Sequence, residues 1–131
     1  MGALKVGDFA TATRIYTAED VRRFAELVND FNPVHFDEEY AKKTIFGRPI
    51  VHGPFVITLI TSIFASELPG PGCIYMSQDV RYIAPVYIGD EITARVELIE
   101  VTGKGHYVLK TECKNHAGVL VITGTAKAKV V

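Results

Sequence analysis

Asp30-Phe31-Asn32-Pro33-Val34-His35 sets a carboxylate and an imidazole on either side of an Asn-Pro turn. A turn that rigid can present both groups to a single water molecule. An acid-base pair arranged around water can transfer protons without a metal or a bound organic cofactor. Farther along, Arg48-Pro49-Ile50-Val51-His52-Gly53 leads into a long apolar stretch, and Pro54 suits the first position of a helix. Gly53 has no side chain, so a ligand could approach its backbone amide, and the helix that follows would direct the positive end of its dipole at a carbonyl oxygen. His52 is read as shaping this junction, with no part in proton transfer.

Each of these residues also has a plain structural reading. Asp30 falls where a helix ends, a position at which the helix dipole opposes a negative charge, and it could serve only as a turn-forming acid before Asn-Pro. A histidine on a loop is ordinarily a surface or hydrogen-bonded residue, and it is the spacing from Asp30 that makes His35 a candidate. For Asn32, holding the turn through its amide is favoured over contacting a substrate.

The elements that must position these groups follow from the pattern of apolar residues. Asp8 to Tyr16 reads as a strand, and Thr17-Ala18-Glu19-Asp20 supplies an N-cap with acids in the first turn. Val21, Phe24, Ala25 and Val28 recur at helical spacing, and Pro33 disfavours helical geometry at Asn32, so this helix ends near Asn29 or Asp30. Asp37 to Lys43 reads as a short satellite helix. The helix opening at Gly53 carries Phe55, Val56, Ile57, Leu59, Ile60, Ile63 and Phe64 on almost every side, which requires that something wrap it.

The second half offers four strand-like runs, Cys73 to Tyr82, Glu91 to Val101, His106 to Lys114 and Val119 to Val130, the last three joined by Gly-containing hairpin turns. A strand, helices and then four strands is an α+β order. A curved antiparallel sheet around one apolar helix satisfies it economically.

At 131 residues the chain has the length of one domain, expected to span 1–131, and 48% apolar with 22% charged residues is ordinary globular composition. Fourteen basic and fifteen acidic residues leave a net charge of −1, which provides no overall electrostatic footprint for nucleic acid or an anionic membrane. Lys42, Lys43 and Arg48 form a local basic group that could meet phosphates or an acidic partner, or could simply be solvated. Cys73 and Cys113 have no metal-ligand or redox spacing and read as reduced thiols of a cytoplasmic protein. Val6 stands where an N-terminal myristoylation signal on Gly2 would carry Ser or Thr. The run from Phe55 to Phe64 is too short for the roughly 20 residues of a membrane-spanning helix.

Taken in order, Val6-Gly7-Asp8, the Asp30 to His35 segment, the Arg48 to Gly53 segment and Pro85-Val86-Tyr87-Ile88-Gly89-Asp90 resemble the (R)-specific enoyl-CoA hydratases, the MaoC-like branch of the hotdog superfamily. The resemblance implies a single hotdog fold with catalytic Asp30 and His35, and a thioester-binding amide at Gly53. Thr61 falls where related hydratases commonly carry a Ser that bonds within the site, with Thr58 and Ser62 as neighbouring hydroxyls. The implied reaction is reversible hydration of trans-2-enoyl-CoA to (R)-3-hydroxyacyl-CoA. Dehydration of 3-hydroxyacyl-[acyl-carrier-protein] is the alternative, with a thioesterase or a non-catalytic acyl-thioester binding subunit behind it. The substrate would be an acyl-CoA or acyl-carrier-protein thioester, with no metal and no cofactor besides the coenzyme A that belongs to the substrate. A homodimer is expected, because a small sheet leaves edge strands to protect.

Overall fold

Helix α3 (Gly53–Ser66) buries Phe55, Val56, Leu59, Ile60, Ile63 and Phe64, and the remaining elements are laid around that apolar face. The computed structural model describes residues 3–131, so Gly2, considered above for lipid attachment, lies outside the described residues. The chain runs β1 (Phe9–Ile15), α1 (Ala18–Val28), a 3-10 turn (Pro33–His35), α2 (Glu38–Lys42), α3, β2 (Cys73–Gln78), β3 (Arg81–Tyr82), β4 (Glu91–Gly103), β5 (His106–Asn115) and β6 (Leu120–Val130).

The strands form one antiparallel sheet in the order β1-β4-β5-β6-β2, with β3 added beside β6. Along β4 the inward residues Ile92, Ala94, Val96 and Leu98 alternate with outward ones, as the two-residue period of a strand requires. They meet α3 together with Leu109, Cys113, Val121, Ile122, Ala126 and Ala128. Register shifts interrupt the β4–β5, β5–β6 and β2–β6 pairs, the kind of local irregularity at which strands bend.

Helix α1 starts with a complete capping box, in which the Thr17 hydroxyl accepts from the Asp20 amide and the Asp20 carboxylate accepts from the Thr17 amide. It ends at Asn29, whose left-handed φ of 59° turns the chain toward Asp30. Val21 and Ala25 are buried, but Val28 is exposed, so the apolar face is shorter than the sequence pattern implied.

Two other expectations need correction. The run from Cys73 to Tyr82 is two strands, not one. Asp79 crosses over β6, exchanging its amide with the Thr125 carbonyl and its carboxylate with the Thr125 amide, and its carbonyl lies so close to Gly124 that no Cβ fits there. Nor is α3 enclosed on every side, since Pro54, Thr58, Thr61, Ser62 and Ala65 form an exposed strip. These are its smaller and more polar residues, and they recur at helical spacing opposite the buried face.

The two faces of α3 should respond differently to substitution. Ile60→Ala removes a fully buried side chain and should lower unfolding stability by about 2 to 5 kcal/mol, whereas exposed Thr61→Ala should change it by less than about 0.5 kcal/mol. Chemical denaturation of both variants measures the contrast.

Candidate active site

The turn after α1 is built from hydrogen bonds that its own residues dictate. The Asp30 amide donates to the Ala25 carbonyl at 3.1 Å, and one Asp30 carboxylate oxygen accepts from the Asn32 amide at 3.2 Å. The Asn32 side chain accepts in turn from the Val34 amide at 3.3 Å and caps the 3-10 turn that Pro33 opens. Asn32 thus holds the turn, in line with the favoured reading of that residue.

His35 is buried at the end of this turn, and its Nδ1 lies 2.7 Å from the Ile50 carbonyl oxygen. A carbonyl can only accept, so Nδ1 carries the hydrogen and Nε2 keeps a free lone pair. The Ile50 amide donates back to the Val34 carbonyl at 3.2 Å, tying the turn to the segment that enters α3.

His52, the N-cap of α3, is 1% exposed and stacks on His35 with ring centroids 3.7 Å apart and 27° between planes. Its Nε2 lies 3.0 Å from the Asp30 main-chain carbonyl and 4.0 Å from an Asp30 carboxylate oxygen. By the same reasoning Nε2 carries the hydrogen, and the buried Nδ1 is left without a partner. Phe24 packs against His52 at 5.0 Å and stacks on Phe55 at 4.6 Å, anchoring the cluster to α1 and α3.

A carboxylate oxygen of Asp30 and ring nitrogens of His35 and His52 lie within 4.8 Å of one another. This donor set is poor for a metal ion. Imidazole lone pairs lie in the ring plane, so two stacked rings do not aim at one centre, and each ring already turns a nitrogen to a main-chain carbonyl. Proton transfer suits the arrangement better.

Burial, which disfavours the charged ring, is the main cause holding His35 below the ordinary imidazole range. The Ile50 carbonyl pulls the other way, the His52 ring adds to the lowering, and the Asp30 carboxylate opposes it. The net effect is a neutral imidazole with a lone pair at Nε2, near a half-exposed carboxylate.

Gly53 opens α3 directly after this cluster. The Phe55 and Val56 amides turn back to the His52 carbonyl and Pro54 has none, which leaves the Gly53 N–H as the terminal donor at that helix end. The Tyr82 ring lies against the Gly53 α-carbon, where a Cβ would collide with it. An apolar cavity of about 570 Å³ begins here, lined by Phe46, Ile50, Val56, Tyr82, Val86 and Ile122 among others.

The profile of the MaoC like domain matches residues 7–119. The chain belongs to the MaoC-like family. It is 39% identical to an (R)-specific enoyl-CoA hydratase of Aeromonas caviae, over 98% of this chain and 96% of that protein. It is 42% identical to a mitochondrial 3-hydroxyacyl-[acyl-carrier-protein] dehydratase of Arabidopsis thaliana, over 95% of this chain and 76% of that one. The solved structure of an (R)-hydratase from A. caviae superposes with a TM-score of 0.94 at 38% identity, covering both chains completely. The fold is therefore the hotdog fold, α+β with an antiparallel sheet.

Within this MaoC-like fold the structure gathers Asp30, His35 and Gly53 around one helix end but does not bring Thr61 to them. Thr61 lies on the exposed strip of α3, about 12 Å along the helix from Gly53 at 1.5 Å per residue. The Thr58 and Ser62 hydroxyls donate back to the Phe55 and Leu59 carbonyls, as helix hydroxyls commonly do.

In the basic group, Lys42 pairs with Glu39 at 3.1 Å, and the Arg48 guanidinium stacks 3.8 Å from the Tyr87 ring centre. Sequence reasoning missed Tyr82 as a neighbour of Gly53, and it placed His52 at this junction without its stacking on His35. Nothing local marks Tyr82, whereas the position of His52 directly before Gly53 was a usable signal.

The His35 environment can be checked without any substrate. Its imidazole should titrate below the ordinary value near 6.5 when followed by nitrogen-detected NMR. In Asp30→Asn the midpoint should fall further, because the carboxylate that favours the protonated ring has been removed.

Proposed function

We propose that this protein is an (R)-specific enoyl-CoA hydratase, a hydro-lyase that adds water reversibly to trans-2-enoyl thioesters. The observation that carries the reading is the meeting of the Asp30 carboxylate and the His35 imidazole beside the amide that opens α3 and the apolar cavity next to it. The family relatives named as hydratases and dehydratases support it.

In the hydration direction, the thioester carbonyl accepts from the Gly53 amide and the acyl group occupies the apolar cavity. A water molecule sits between the Asp30 carboxylate and the free lone pair of His35. Its oxygen bonds to C3 as the pair takes its proton, the C2–C3 π electrons shift toward the carbonyl, and the growing negative charge on the thioester oxygen is stabilised by the amide and the helix dipole. The pair then returns a proton to C2. Water is consumed whole, with hydroxyl on C3 and hydrogen on C2, so the chemistry calls for no cofactor besides the coenzyme A of the substrate. A single pair working from one side of the alkene gives syn addition; the face of C3 that it addresses sets the configuration, taken here as (R) on the support of the (R)-specific hydratase relative.

We also infer a homodimer. Among the described residues strands β1 and β2 end the sheet with unpaired edges, and Ile74 and Met76 on β2 are about half exposed. A second copy would cover such surfaces. Among the described residues no helix is long and apolar enough to cross a membrane.

With crotonyl-CoA the expected product is (R)-3-hydroxybutyryl-CoA. Loss of the enoyl absorbance, free-thiol release and chiral chromatography read the outcome together. An (S) or racemic product rejects the (R)-specific reading, and free CoA without hydration shows a thioesterase instead. Crotonyl linked to acyl carrier protein, assayed in parallel, shows which carrier is preferred. Asp30→Asn and His35→Ala should each lower turnover at least about 100-fold while the proteins remain folded.

Light scattering at micromolar concentration should give twice the 14.4 kDa chain mass. A fully active monomer would contradict the dimer.

A further inference from the structure

His52 is a completely buried polar side chain to which the reaction above assigns no role. An imidazole removed from water at an unfilled hydrogen-bonding position is costly unless it contributes something to its surroundings. Three observations indicate what that is. Its Nε2–H donates to the main-chain carbonyl of Asp30, its ring covers the His35 ring at 3.7 Å, and its own backbone begins the helix whose first amide belongs to Gly53. One residue therefore meets each of the three parts of the site, two through its side chain and one through its backbone.

We propose that His52 is the positioning residue of this site: it clamps the Asp30 main chain to the start of α3 and backs the His35 ring, keeping carboxylate, imidazole and helix amide in mutual register. The inference rests on the hydratase reading for its effect on rate, but its geometric content does not.

The Asp30 carboxylate is half exposed and among the described residues bonds to the nearby Asn32 amide, while the existing ties from the turn to the segment before α3 run through Val34 and His35 and leave Asp30 itself unheld from that side. The Nε2–H bond to the Asp30 carbonyl spans 22 positions and provides that hold. The stack also limits how the rings charge. Protonating both imidazoles at van der Waals distance sets like charges face to face, so His52 favours a neutral His35. The titratable groups facing His35 are the Asp30 carboxylate from the turn after α1 and His52 from α3, while the loop before α3 presents only the Ile50 carbonyl.

Nitrogen-detected NMR of the wild-type protein tests the geometry first. The expected form of His52 near neutral pH has hydrogen on Nε2 and a bare Nδ1, and hydrogen on Nδ1 alone would overturn the proposal. Two variants test the consequence. His52→Phe keeps a ring against His35 but removes the donor, and His52→Gln keeps a donor but removes the second imidazole.

With crotonyl-CoA, His52→Phe should lower kcat at least about 10-fold while KM stays within about threefold, the signature of misplaced catalytic groups. His52→Gln should recover most of kcat, and its His35 midpoint should move up, carrying the acid limb of the pH profile with it. Wild-type kcat in His52→Phe, or an unmoved His35 midpoint in His52→Gln, overturns the proposal. Should the wild type hydrate no enoyl thioester, the hydratase reading fails, and the tautomer and the His35 titration still decide the role of His52. Should neither variant fold, the wild-type tautomer decides it alone.

Discussion

Burial of one face of α3 against the inner face of the sheet is the constraint from which the other features of this protein follow. Phe55, Val56, Leu59, Ile60, Ile63 and Phe64 leave water only if strands from both ends of the chain present apolar residues to them. Such packing is non-directional, so it sets where the helix lies but says little about its ends. Those ends carry backbone groups that packing cannot satisfy. At the N-terminal end a single donor, the Gly53 amide, is left over next to an apolar cavity. A ligand carbonyl is a natural partner for it.

Main-chain carbonyls, more than side-chain pairs, give the acid-base cluster its order. His35 donates to Ile50 and His52 donates to Asp30, so both tautomers are determined by groups that cannot exchange roles. The two carbonyls come from opposite sides of the site, and each histidine thereby cross-links the segment of the other. The result is a neutral imidazole with its lone pair at Nε2, kept so chiefly by burial. The carboxylate beside it stays half exposed and can meet water.

Much of this was legible in the residues themselves. The capping box of α1, the turn that follows it, the Pro-opened α3 and the hairpins of β4 to β6 all depend on contacts between near neighbours. Spacing made Asp30 and His35 candidates together, and the family resemblance added weight to them and to Gly53. Where the reading went astray, distant segments had intervened. The Cys73 to Tyr82 run has strand character throughout, yet Asp79 leaves the ladder because it crosses Gly124 of β6. Val28 continues the helical spacing of α1, but no element of the fold covers it.

By itself the sequence determined most of the helix and strand segments, which residue types could move a proton, and which family pattern they follow, since periodicity, capping and turn chemistry act over a few positions. Only the tertiary structure decided that His52 lies face to face with His35, that Tyr82 closes over Gly53, and that Thr61 is turned away from both. Those relations depend on how separate elements stack around α3. The stacking energy is a sum of many weak contacts across the whole core, and no short motif records it.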